Sequence, residues 1–190
     1  MQILKTLENT YDSAINLKKA FAEIDEKKWT SNVFCQEIML QLSHLQSVYY
    51  TEEMQFILED NRSLTNLNDE ISDLYLQILN LANIYFSYPE LEKEIIELYE
   101  STPSNMLSSQ YIVALSIILG QINESVMILT KYRFKLNRST LYGAEETDYL
   151  KQKISEFIII LFHLAEGLKI DINDSFFIMF NDASNFLKEI

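Results

Sequence analysis

The chain has 190 residues, and its 15 Lys plus Arg against 28 Asp plus Glu give a formal net charge of −13 at pH 7. Apolar types make up 48% of it, enough to bury a core and too many for a disordered chain, and its length suits one compact domain or two small fused ones. Only 3 Gly and 2 Pro occur, too few turn formers for a sandwich or a many-stranded sheet, so the expected fold class is all-α. The single Cys35 excludes a disulfide scaffold and points to a reducing, cytoplasmic setting. The acidic balance repels a phosphate backbone, which argues against general nucleic-acid binding.

Punctuation divides the sequence into about seven helical stretches. The first covers residues 2–27, with Leu4, Leu7, Tyr11, Ala14, Ile15, Leu17 and Phe21 near helical spacing and polar residues breaking every apolar run. That layout fits neither a signal peptide nor a membrane span, and the longest apolar run, 157–162, has six residues. Thr30 and Ser31 can cap a second helix reaching about Leu58. The polar run 59–63 precedes a third, over about 64–86, where Leu67, Ile71, Leu74, Ile78, Leu81 and Tyr85 form an apolar stripe.

Pro89 suits the first turn of a short helix ending near Glu100, because a residue there needs no amide hydrogen. The same reasoning lets Thr102 cap a long helix from Pro103 to about Arg138, with Gly120 inside it at a site of close packing. A sixth helix runs from about Ala144 to Glu166, closed by Gly167 in the left-handed conformation. Asp171 caps the last.

Self-comparison joins these elements. Residues 71–74 (Ile-Ser-Asp-Leu) and 154–157 (Ile-Ser-Glu-Phe) are 83 positions apart, and the match continues through Ile78 with Leu161, Leu81 with Leu164, and Ala82 with Ala165. A looser match at offset 77 pairs Phe34, Ile38, Leu42, Leu45 and Tyr49 with Tyr111, Leu115, Leu119, Ile122 and Val126; a longer loop at 137–146 accounts for the change of offset. The expected organisation is an N-terminal helix (1–29) laid across two copies of a long-long-short helical unit (30–101 and 102–190), packed as a pseudo-dimer in one globular unit.

The second copy reads Lys153-Ile-Ser-Glu156, then a leucine-rich stretch, then Gly167-Leu-Lys-Ile-Asp171 and a final helix; the first carries Glu70-Ile-Ser-Asp73. This order resembles the all-α nucleoside triphosphate pyrophosphohydrolases, the MazG and dimeric dUTPase group, whose E-x-x-D helix faces a helix carrying E-E-x-x-E. The resemblance spans most of residues 30–190. It implies four carboxylates holding Mg²⁺ against a triphosphate, and hydrolysis of a nucleoside triphosphate to the monophosphate and pyrophosphate, with the metal polarising phosphoryl oxygens.

Carried over residue by residue, the metal set is Glu70, Asp73, Glu124 and Glu156. Lys153 stands where the second copy should have an acid, and the expected facing segment of the first copy, around Gln46 and Ser47, has no carboxylate. Two readings stay open at this point: a composite site joining Glu70 and Asp73 to Glu124, or a degenerate site on a noncatalytic interaction or regulatory module with a protein partner. Tandem copies that cover each other imply a monomer or weak homodimer.

The remaining candidates are weaker in pattern. Lys131, Lys135 and Arg138 are the basic cluster; at spacing 4 and 3 they either complement the carbonyl end of a helix or bind phosphate. Glu70, Asp73, Gln77 and Asn80 form a polar strip that reads either as a solvated face or as an inter-helix cleft. His163 reads as a satisfied core or boundary residue, and neither histidine has zinc-ligand neighbours. Cys35 has no local base, and Trp29, Tyr49, Tyr50 and Tyr132 could stack on a base but read more simply as core.

Overall fold

Seven helices make up the described part of the chain: α1 (Gln2–Ile24), α2 (Ser31–Glu52), α3 (Leu67–Tyr85), α4 (Tyr88–Leu98), α5 (Ser108–Leu129), α6 (Ala144–Gly167) and α7 (Ile172–Glu189). The structure, a computed structural model, describes residues 1–26, 28–52, 66–131 and 144–189. No strand occurs among them, so the fold is an all-α bundle. The expected stretches at 53–58, 59–65 and 132–143, with Lys135 and Arg138, lie outside the described residues.

Helix starts follow side-chain chemistry. Thr30 Oγ1 accepts from Val33 N–H at 3.4 Å, opening α2 as expected. Asn66 Oδ1 accepts from the amides of Asn68 and Asp69 at 3.0 and 3.2 Å, so α3 begins at Leu67. Glu90 Oε2 accepts from the Ser87 amide at 2.8 Å and its hydroxyl at 2.6 Å, with Pro89 in the first turn of α4. Asp171 Oδ1 takes the Asp174 amide at 3.2 Å at the start of α7.

Two boundaries differ from expectation. Thr102 does not open α5: its hydroxyl donates to Leu98 O at 3.0 Å and so closes α4, and α5 starts five residues after Pro103, where Gln110 Oε1 takes the Leu107 amide at 2.9 Å. Gly167 remains helical, and Lys169 takes the left-handed turn instead, with φ 61°. The Ile170 amide bonds Ala165 O at 2.8 Å, closing the helix two residues later than a glycine cap would. A Cβ at Gly167 would meet Ser108 Oγ at 3.5 Å, an ordinary contact, and one at Gly120 would meet nothing within 4 Å, so the close packing expected at Gly120 is not there.

Helix α2 packs on α3 and α5 on α6, and these two pairs meet through α2 with α5 and α3 with α6. The shorter helices cross over: α4 packs on α6 and α7 packs on α3, while α1 lies on α3 and α7. Ile71, Leu74, Ile78 and Leu81 are fully buried, and so are Ile154, Phe157, Leu161 and Leu164 at the matching positions. Burial of each contributes about 1.5–3 kcal/mol. Ser72 and Ser155 are likewise fully buried, and Asn80 and His163 nearly so.

Among the described residues α5 is the one helix long and apolar enough, by length and composition, to cross a membrane. Its Tyr111, Leu115, Leu119, Ile122 and Val126 are buried in the bundle, while Val113 and Ile117 face outward.

Candidate functional site

The polar strip on α3 is an inter-helix cleft rather than a solvated face. Helix α3 is enclosed by α1, α2, α6 and α7, so a polar residue on it has little water to face. Glu70 is 4% exposed and Asn80 5%, and Asp73 and Gln77 are half-buried. Asn80 Nδ2 donates to Leu76 O at 2.9 Å, within its own helix.

Glu70 does not face Gln46. Its Oε2 lies 3.7 Å from His44 Nδ1, whereas Gln46 Nε2 donates to Ser116 Oγ on α5 at 2.8 Å. The repeat register put Gln46 opposite α3, but α2 is shared between α3 and α5, and Gln46 falls on the α5 side. His44 and Gln41, one turn apart, therefore occupy the α2 face toward α3.

Asp73 points to a cleft of about 430 Å³ between α1, α2, α3 and α7, shared with Asp69, Asp182, Gln41 and Gln77. Burial, aided by the negative charges of Asp69 and Glu70, holds the Asp73 carboxyl up to about 7. Sequence reasoning singled out neither Asp69 nor Asp182. They come from the first turn of α3 and from α7, and only the packing of α7 on α3 brings them to one cleft.

Glu156 is held on its own helix, α6. Its Oε2 pairs with Lys153 Nζ at 2.7 Å and its Oε1 accepts from Gln152 Nε2 at 3.1 Å. Glu124 is half-buried on α5, which packs against α2 and α6. Among the described residues no three His, Cys, Asp or Glu side chains form a group that could hold a metal ion. Mg²⁺ needs several convergent hard oxygens, and the donor sets around Glu70, Asp73, Glu124 and Glu156 do not fit it.

Lys131 is exposed just past the end of α5, with φ 59° and its amide on Ile128 O at 3.1 Å. The helix stops before it, so the common face expected for the basic cluster is not continued through Lys131.

His163 is 6% exposed, flanked by the rings of Tyr99 and Tyr111, with centroids 5.5 and 6.1 Å away. Burial holds its pKa below the usual histidine value, against the pull of Glu166. It is a core residue, but not the satisfied one expected, because its buried Nε2 has no hydrogen-bond partner. Cys35 is buried, which pushes its thiol up to about 12 and removes it from nucleophilic chemistry at neutral pH.

No known protein family, curated protein or solved structure matches this chain.

Proposed function

We propose that the chain is a noncatalytic binding or regulatory module built on a duplicated helical unit similar to that of the MazG-like pyrophosphohydrolases, with a degenerate metal site. One observation carries the reading. Lys153 stands where the pattern calls for an acid and pairs with Glu156 at 2.7 Å, so this copy meets its remaining carboxylate with its own cation. The first copy turns Glu70 to His44 and raises Asp73 by burial, an arrangement that favours protonation over metal binding.

The duplication is supported by the reciprocal crossing of α4 onto α6 and α7 onto α3, as two equivalent units exchanging their short helices would do. Matched burial of Ser72 with Ser155 and of Asn80 with His163 supports it further. Copies that cover one another in this way favour a monomer or weak homodimer. Fold resemblance alone does not carry activity.

The test is pyrophosphate release from dUTP, dCTP and dATP with Mg²⁺ and with Mn²⁺, for wild type, Glu70→Gln and Asp73→Asn. The expected result is no release above background. Robust turnover lost in either variant would establish a working metal site and the hydrolase activity, with nucleoside triphosphate as ligand.

A further inference from the structure

The cleft beside Asp73 is lined by more acid than base, with four aspartates against the single lysine Lys18. Asp69, Asp73 and Asp182 line it from α3 and α7, and no ion pair engages any of the three among the described residues. The Oε1 atoms of Gln41 and Gln77, on the same walls, are buried without a hydrogen-bond partner. Carboxylates and amide carbonyls only accept, so three carboxyl groups without an ion pair among the described residues and two buried amide oxygens without a partner, from three helices, line one space.

One cation is already seated at the rim. Lys18 Nζ pairs with Asp25 Oδ2 at 3.3 Å and covers the ring of Trp29, whose Nε1 donates to the same carboxylate. Burial lowers the pKa of Lys18, and Asp25 opposes that shift. An ammonium between a carboxylate and an aromatic face is favoured both by charge and by the ring quadrupole. Leu17, Phe21, Leu76, Met179 and Ala183 supply apolar wall between this rim and the aspartates.

The shape separates the candidate cations. The acids do not converge as a metal requires, whereas about 430 Å³ lies within the range of small-molecule sites. A chain of methylenes with amines along it would place N–H donors on the separated acceptors and its stem on the apolar wall. Asp73, held up to about 7 by burial and its acidic neighbours, would ionise more readily at neutral pH beside such a charge.

We infer that the cleft between α1, α2, α3 and α7 binds a small aliphatic polyamine, through Asp69, Asp73 and Asp182 with Gln41 and Gln77. This goes beyond the proposed function and holds whether or not the chain hydrolyses nucleotides, because the readout is binding and not turnover.

The test is calorimetric titration of the whole chain with spermidine at moderate salt, beside 1,8-octanediol and MgCl₂ alone. Spermidine should bind one per chain, the diol should give no heat, and Asp73→Asn with Asp182→Asn should weaken binding at least ten-fold. The exposed control Glu97→Gln with Glu100→Gln should change it less than two-fold, and circular dichroism should show both variants helical. Lys18→Met, which removes the resident cation, should tighten binding, whereas Lys93→Met should not. Several spermidines per chain with equal losses in both pairs would mean diffuse condensation on an acidic surface and overturn the proposal. So would absence of binding at millimolar spermidine, or binding of an oligolysine peptide without spermidine, which would assign the cleft to a protein partner.

Discussion

Lys153 Nζ lies 2.7 Å from Glu156 Oε2, one turn apart on α6, with both side chains largely buried. At the same spacing on α3 stand Glu70 and Asp73, two acids, where the charge of Glu70 helps to raise the pKa of Asp73. The pair on α6 joins a cation to an acid and the pair on α3 sets two acids together, and each arrangement has a measurable consequence.

Lys153→Glu should destabilise the fold by about 1–3 kcal/mol, because it breaks a shielded ion pair and sets two acids side by side. Chemical unfolding reads the loss. Mg²⁺ at millimolar concentration should not restore it, since no third carboxylate converges there. Recovery of stability with Mg²⁺ would show that one substitution rebuilds a metal site.

Asp73→Asn should stabilise the protein at neutral and alkaline pH. The folded carboxyl is held up to about 7 against the ordinary 3.8, so the native state binds more protons between these values and stability falls as pH rises through that window. Above about pH 7 the loss is complete, and below about 4 it vanishes. The asparagine variant escapes it, with a gain of up to about 4 kcal/mol at pH 8 that shrinks toward zero at pH 4. Paired urea titrations of wild type and variant at pH 4, 5.5 and 8 isolate this group, and a gain that does not depend on pH would contradict it.

Much of the bundle was legible because apolar spacing is a local signal. The stripe from Leu67 to Tyr85 and the caps at Thr30 and Asp171 are set by residues within a turn of each other, and the structure follows them. Thr102 was misread for a local reason as well: a threonine beside a proline can cap forward or bond backward, and the carbonyl of Leu98 takes its hydroxyl. The cleft was not legible. Asp69 and Asp182 are 113 positions apart, and neither has a motif to mark it. Gln46 was placed opposite α3 because sequence repeats fix order along a helix but not which neighbour each face meets.

Lys169→Gly should stabilise by about 0.5–1 kcal/mol. The lysine holds φ 61° to close α6, a conformation in which a Cβ is strained and glycine is not. Its side chain is exposed, with no ion pair among the described residues, so little is lost in exchange. A higher melting temperature with unchanged helicity is the expected observation, while a lower one would mean the turn is not held as described.

Tyr75 and Thr10 should show unequal single-mutant costs. Tyr75 is fully buried, its hydroxyl 3.0 Å from Thr10 Oγ1, and Thr10 Oγ1 also bonds Thr6 O at 2.8 Å. A carbonyl can only accept, so the one threonine hydroxyl hydrogen goes to Thr6 and Tyr75 must be the donor between the two side chains. Tyr75→Phe removes that donor and leaves Thr10 still bonded, at a cost of about 1 kcal/mol. Thr10→Val instead strands the Tyr75 hydroxyl in the core, which costs about 2–3 kcal/mol. The double variant should therefore cost less than the sum of the singles, because the stranded hydroxyl is gone. Unfolding free energies for the three variants decide it, and simple additivity would mean that the two hydroxyls do not share a hydrogen bond.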